Sequence, residues 1–329
     1  MARIVLGLAS SHSPQLSSGP DWWPRHGEND KNNPWLINPQ GQKLTYDEAL
    51  AQADPRIARE ELTPEKHAAR HATIQAAVDH LHEEFVAARP DVVVVFGDDQ
   101  AEIFNRDFRP ALMVYSGESV PNMPYLFSRA PYEAGRQAGW AYGPEMATIP
   151  IKSDLAKHVV ARLMDDGFDL GHAAQLEEGV GLGHAYGFVF ERIMHGPNAA
   201  MLPVIINTLY PPNQPPAWRV YDLGRAVKRS LDSWDEDLRV CVVGSGGLSH
   251  FLVQEDIDRQ FLTMLRNKDA EGLRGLSQVR LQSGTGELRS WLGAAAALEE
   301  LPLAWTEYQA CYRSPAGSGM GMGFAVWKP

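Results

Sequence analysis

The segment Val92-Val93-Val94-Val95-Phe96 is apolar at every position, and this constrains the fold more than any other feature of the chain. Successive side chains of a strand point to opposite faces, so a strand with one wet face alternates apolar with polar residues. A strand lacking that alternation must be covered on both sides. The runs Ile4–Leu8, Ala111–Tyr115, Met201–Asn207 and Val240–Val243 are largely of the same kind. Between them lie amphipathic segments of helical length: Pro64–Ala88, Ser153–Asp166, Ala217–Leu231 and Asp256–Arg266. Strand and helix in alternation predict an α/β fold, with a central mostly parallel or mixed sheet covered by helices on both faces. Thr63-Pro64-Glu65 supplies a start signal for the longest helix, a capping threonine before proline at the first helical position.

The stretch 17–54 breaks this rhythm. It is rich in Pro, Asn, Gly and Trp, with Trp22, Trp23, Trp35 and Tyr46 among its aromatics, and it is too long for a plain connection. It reads as an insertion after the first strand, either a lid-like loop over a pocket or a surface contact between subunits. The glycine-rich tail, Pro315 to Gly323, has no lysine and is not a phosphate loop. With no internal repeat, residues 1–329 are expected to form one catalytic domain carrying that insertion.

Bulk properties narrow the classes. A formal charge of −11 argues against nucleic acid or an anionic membrane as main partner. No apolar run approaches the roughly 18 residues of a membrane span. The sequence opens directly on a strand without a basic leader, so no signal peptide is expected. Two cysteines, Cys241 and Cys311, are too few for a disulfide framework or a thiolate metal site, and a cytoplasmic setting is expected.

Polar residues gather where the apolar runs stop. The first run ends in Ser11-His12, Val92–Phe96 in Gly97-Asp98-Asp99-Gln100, and Val240–Val243 in a turn from Gly244 to Ser249-His250. Gly181-Leu182-Gly183-His184 puts another histidine in a glycine-rich turn. Carboxyl ends of parallel strands share one edge of an open α/β sheet, so these groups are able to converge on one cleft as a metal or acid–base site. Asp98, Asp99, Glu255, Asp256 and Glu287 are candidate carboxylates. Glu287 follows the tight turn Gly284-Thr285-Gly286, although a glutamate there also suits the first turn of a helix.

These motifs, in this order, resemble the class III extradiol ring-cleavage dioxygenases, the superfamily of the protocatechuate 4,5-dioxygenase catalytic subunit. The carriers are Ser10-Ser11-His12-Ser13-Pro14, Gly97-Asp98-Asp99-Gln100, Gly181-Leu182-Gly183-His184 and Tyr210-Pro211-Pro212-Asn213. They continue with Gly244-Ser245-Gly246-Gly247-Leu248-Ser249-His250 and Gly286-Glu287-Leu288-Arg289-Ser290-Trp291. The long insertion after His12 is most similar to the 3-O-methylgallate dioxygenase subgroup.

The resemblance implies a non-haem Fe(II) held by two histidines and a glutamate, with one face open to a small aromatic diol and O₂. Carried over, His12 is one imidazole ligand and Glu287 the carboxylate; His250 is the acid–base histidine and His184 lines the substrate pocket. The chain departs from the pattern at Gln100, where the prototype has its second ligand histidine. Three explanations compete: Gln100 binds through its amide oxygen, a histidine of the Pro64 helix (His71 ahead of His67) replaces it, or the metal is lost. The implied reaction is ring opening of a catechol- or gallate-type aromatic acid. The insertion predicts a homo-oligomer needing no separate small subunit. A metal-dependent hydrolase and a non-enzymatic binding protein on the same scaffold are the alternatives.

Overall fold

The computed structural model describes residues 1–104, 108–124 and 141–329. Its strands, in chain order, are β1 (Arg3–Ser10), β2 (Val92–Asp98), β3 (Leu112–Tyr115), β4 (Ser119–Asn122), β5 (Ala147–Pro150), β6 (Gly171–Ala173) and β7 (Ala200–Ile206). β8 (Arg239–Ser245), β9 (His250–Leu252), β10 (Leu303–Tyr312) and β11 (Ser318–Trp327) complete them. The helices are α1 (Pro14–Ser17), α2 (Trp23–Asn29), α3 (Tyr46–Gln52), α4 (Pro64–Ala88), α5 (Ser153–Asp165) and α6 (His184–Phe188). They continue with α7 (Ala217–Asp232), α8 (Glu255–Arg266), α9 (Ala270–Arg274) and α10 (Leu288–Ala297).

One mixed sheet organises the chain, in the order β10-β11-β1-β8-β2-β7-β3-β6, with β9 pairing β11. β1, β8, β2 and β7 are consecutive neighbours and mutually parallel. Their carboxyl ends therefore deliver Ser11-His12, Gly246-Gly247, Asp98 and Thr208 to one edge, side by side. β3 pairs antiparallel to β7, and β11 antiparallel to β1, so the sheet is parallel at its centre and mixed at its flanks.

The sheet has an apolar core on each face. Val92, Val94 and Phe96 face one, with Val240, Val242, Leu202 and Val204 and side chains of α5, α7, α8 and α10. Val93 and Val95 face the other, with Leu6, Leu8, Cys241 and Val243, side chains of α4 and the segment from Ala185 to Met194. Every residue of β2 is buried because both faces are covered. Each large apolar side chain buried this way contributes about 1.5–3 kcal/mol of transfer free energy. α4 begins where the capping signal places it: the Thr63 side chain accepts from the Lys66 amide at 3.3 Å, and Arg89 closes the helix with a left-handed φ of 46°.

Six strands were not foreseen: β4, β5, β6, β9, β10 and β11. β10 and β11 form an antiparallel pair, and from Ser318 onward the glycine-rich tail belongs to β11, which is buried along its whole length. The glycines allow close approach: a Cβ on Gly323 would lie 2.7 Å from Leu248 and 3.2 Å from Trp291. The insertion 17–54 is tied to the body. Trp23 is fully buried and donates from Nε1 to the Gln15 carbonyl at 3.0 Å. Leu36, Leu44 and Ala49 make a small third core with Ala316. Among the described residues no helix is long and apolar enough to cross a membrane.

Candidate active site

At the carboxyl edge of the parallel strands, His12, Asp98, His184 and Glu287 meet. Each offers one ligand atom, all within 4.8 Å of one another, and all four side chains are buried. His12 arrives from the end of β1, Asp98 is the last residue of β2, and His184 opens α6. Glu287 closes the short 3₁₀ turn Ser283–Glu287 that leads into α10.

The histidines are aimed by their Nδ1 atoms. Ser245 Oγ donates its one hydrogen to the Ala185 carbonyl at 2.7 Å, so at 3.0 Å from His12 Nδ1 it accepts, and the His12 proton sits on Nδ1. His250 Nδ1 donates to the Leu248 carbonyl at 2.9 Å, and His184 Nδ1 to Glu102 Oε1 at 2.6 Å. All three rings consequently turn Nε2 toward carboxylate oxygens. His12 Nε2 lies 3.4 Å from Glu287 Oε2, His250 Nε2 3.1 Å from Glu287 Oε1, and His184 Nε2 3.9 Å from Asp98 Oδ1. A lone pair facing a carboxylate oxygen calls for a cation between them. At the His250 contact a proton suffices. The wider spacings at His12 and His184 resemble two ligands sharing a metal with bonds of ~2.1 Å.

The electrostatics agree. Burial pushes His12 down to about 3, opposed by Glu287, so its imidazole is neutral, as a ligand must be. Burial also drives Asp98 up, reinforced by Glu287, to about 7, and its buried Oδ1 has no hydrogen-bond partner among the described residues. Burial would lower both His184 and His250, yet Glu102 together with Asp98 lifts His184 to about 10, and Glu287 raises His250. Glu287 is held down at about 2 against its burial by His250 and His12. A buried pocket that has to recruit protons to offset its carboxylates is one a divalent cation fits. Imidazole and carboxylate donors without thiolate suit Fe(II), Mn(II) or Zn(II).

The Gly244–His250 and Gly286–Trp291 motifs form one unit. Glu287 Oε2 accepts from the Gly247 amide at 2.6 Å, and Trp291 Nε1 donates to the Gly246 carbonyl at 2.7 Å. Asp258 is buried and accepts from the Ser249 amide and hydroxyl at 2.8 and 2.7 Å, fixing the turn that carries His250. A Cβ on Gly284 would overlap the His250 ring, which explains a glycine there. Asp99 accepts from the amides of Ala101 and Ile103 at 3.1 and 2.7 Å; it shapes the loop while Asp98 faces the cluster.

Gln100 and the helix histidines sit differently from one another. Gln100 Nε2 donates to Glu287 Oε1 at 2.7 Å and to Asp98 Oδ2 at 3.3 Å, so the N–H side of its amide, not its oxygen, meets the carboxylates. The structure does not bring His71 or His67 to the cluster. Both pack on Trp23, with ring centroids 6.4 and 5.1 Å away, because the first turns of α4 lie against the segment that follows β1. Arg289 is buried and donates to the carbonyls of Pro215, Leu281, Thr208 and Gly286, so it serves the backbone around Glu287. Glu102 was not foreseen. It lies two residues beyond Gln100 in an irregular loop, where no spacing rule distinguishes a partly buried carboxylate from a solvated one.

Comparison with known proteins supplies the family. Residues 54–323 match the family described as the catalytic LigB subunit of aromatic ring-opening dioxygenase. That span contains Asp98, His184, His250 and Glu287, while His12 precedes it. A 2,3-dihydroxyphenylpropionate/2,3-dihydroxicinnamic acid 1,2-dioxygenase of Rhodococcus sp. is 26% identical over 241 residues, 71% of this chain and 68% of that protein. The enzyme of the same name from Rhodococcus jostii is 30% identical over 46% of this chain and 47% of its own length. A gallate dioxygenase of Pseudomonas putida is 30% identical over 34% of this chain and 35% of its own. The chain thus spans about half or less of the length of the latter two. The 3-O-methylgallate subgroup is not singled out. With the matched span covering most of the chain and the site, this protein belongs to the LigB family of aromatic ring-opening dioxygenases.

Proposed function

We propose that this protein is an Fe(II)-dependent extradiol dioxygenase that opens the ring of a catechol- or gallate-type aromatic acid, such as 3-O-methylgallate, gallate or protocatechuate. The observation that carries the reading is the buried cluster in which anchored histidines turn Nε2 onto Asp98 and Glu287. His12 and Glu287 would hold the metal, in a pocket whose carboxylates call for a cation. Bound there, iron supplies acidification of the diol and an electron path to O₂.

The chain's own groups do the rest. His250 keeps Nδ1–H on the Leu248 carbonyl and exchanges a proton at Nε2, where Glu287 Oε1 stabilises the charged ring. It takes the second hydroxyl proton of the substrate and returns one as the ring opens. Gln100 and Thr208 hold Asp98 Oδ2 from two sides, at 3.3 and 3.1 Å, so that Oδ1 faces the cluster. Trp35 packs edge-on against Tyr210 at 5.9 Å and its carbonyl accepts from Ser283 Oγ at 2.6 Å. The insertion therefore walls this end of the site, a role that dispenses with a separate small subunit and is compatible with a homo-oligomer.

The test is anaerobic purification, Fe(II) loading and oxygen uptake with the three acids. The expected result is about one iron per chain and uptake with a yellow ring-opened product. Metal binding with oxygen-independent turnover of esters or amides would identify a hydrolase instead; no metal binding at all would identify a binding protein.

A substrate carboxylate needs a cation, and Arg109 is the residue this reading assigns to it. Its guanidinium lies 3.5 Å over the Tyr210 ring, on the loop whose Thr208 touches Asp98, and its buried Nε has no hydrogen-bond partner among the described residues. Arg109→Met is expected to raise KM for protocatechuate about 10- to 100-fold, the loss of one charged hydrogen bond, while catechol itself changes little. Equal losses for both would remove Arg109 from substrate recognition.

A further inference from the structure

We propose that His184 supplies the second imidazole ligand of this metal site, in place of the histidine absent at position 100, and that Glu102 is the residue that positions it. The proposal rests on the metal-dependent reading above and specifies what holds the ion.

Place comes first. Among the described histidines, only His184 joins His12 in the four-residue cluster; the two rings meet edge-on with centroids 4.6 Å apart. His250 is committed to hydrogen-bond contact with Glu287, and His67 and His71 lie against Trp23. Gln100 presents N–H groups to the carboxylates, and an N–H has no lone pair for a metal.

A monodentate imidazole must keep its proton on one nitrogen and its lone pair on the other, and second-sphere acceptors fix which is which. Glu102 does this for His184 with unusual rigidity. Its Oε1 accepts from His184 Nδ1 at 2.6 Å, from the His184 amide at 2.9 Å and from the Tyr142 hydroxyl at 3.1 Å. Its Oε2 accepts from the Gln100 amide at 3.0 Å. One carboxylate is thus held by four donors from three segments. The residue before His184 must be small for this grip, since a Cβ on Gly183 would lie 2.6 Å from Glu102 Oε2. The backbone of the very position that lacks a ligand histidine therefore helps to orient the substitute. Glu102 touches neither metal nor substrate; it acts through His184.

The probe is Co(II), titrated into the purified full chain against a competing chelator and followed by its visible absorption. His184→Gln is expected to weaken Co(II) at least about 100-fold and to alter the band pattern; Glu102→Gln weakens it about 10- to 100-fold. His71→Ala leaves affinity and spectrum unchanged. Gln100→His placed in the His184→Gln background restores affinity, a rescue that a merely structural defect would not show, and thermal melting identifies any variant that fails to fold. Wild-type affinity and spectrum in His184→Gln, with loss of both in His12→Ala, would overturn the assignment of His184 and leave the metal-dependent reading standing. Retention of the wild-type spectrum in His12→Ala as well would bring down that reading too. Loss of the ion in His71→Ala would return the ligand to α4.

Discussion

Replacing His12 by alanine is expected to strip the metal and lower ring-opening turnover by about 10³-fold or more. The reason lies in the neighbours. His12 is a neutral buried imidazole with Nδ1 fixed on Ser245 and Nε2 aimed at Glu287. Without it, Glu287 and Asp98 remain in a buried pocket with one donor fewer, and the ion must accept a water or leave. Metal analysis after dialysis, alongside oxygen uptake, reads both consequences. The substitution leaves a cavity at the end of β1, so a melting curve belongs with the measurement. Full metal occupancy together with normal uptake would mean that the ion is bound elsewhere.

The second large effect is a loss of chemistry with the metal retained. His250→Gln is expected to reduce kcat by about 10²- to 10⁴-fold, the usual contribution of a positioned general acid–base group, with little change in metal content. Glutamine is able to keep a hydrogen bond to Glu287 and so spares the carboxylate, but it cannot carry a proton between substrate and product. The diagnostic is the contrast with His12→Ala: one variant is metal-loaded and slow, the other metal-free. If His250→Gln lost the ion as readily as His12→Ala, His250 would be a ligand and not a proton carrier.

How far the sequence reaches differs from residue to residue. β2 was legible because four consecutive valines admit only a strand covered on both faces. α4 was legible because Thr63-Pro64 marks its start and its amphipathic pattern runs on to Ala88. β10 and β11 were not: glycine has low strand propensity, and Gly317 to Gly323 reads as a loop until a neighbouring strand supplies pairing and close backbone contact. Within the site, His12, His250 and Glu287 stood out because each follows a strand end or a tight glycine turn. The placement of His71 on α4 was a matter of packing. Helical spacing puts His71 and Gln75 on one face, but only the path of residues 14–23 determines that this face meets Trp23.

What the sequence determined by itself was therefore the layered α/β scaffold and the short set of polar residues at its strand ends. Both follow from local rules: side-chain alternation, capping and the chain's direction through a parallel sheet. The tertiary structure alone decided which of those residues share one pocket. The strand order β1-β8-β2-β7 places chain ends far apart in sequence at adjacent positions on one edge, and Glu102, silent as a letter in a loop, becomes the group that turns His184 toward Asp98. Ligand geometry depends on distances between segments, and a linear pattern of residue types contains no such distances.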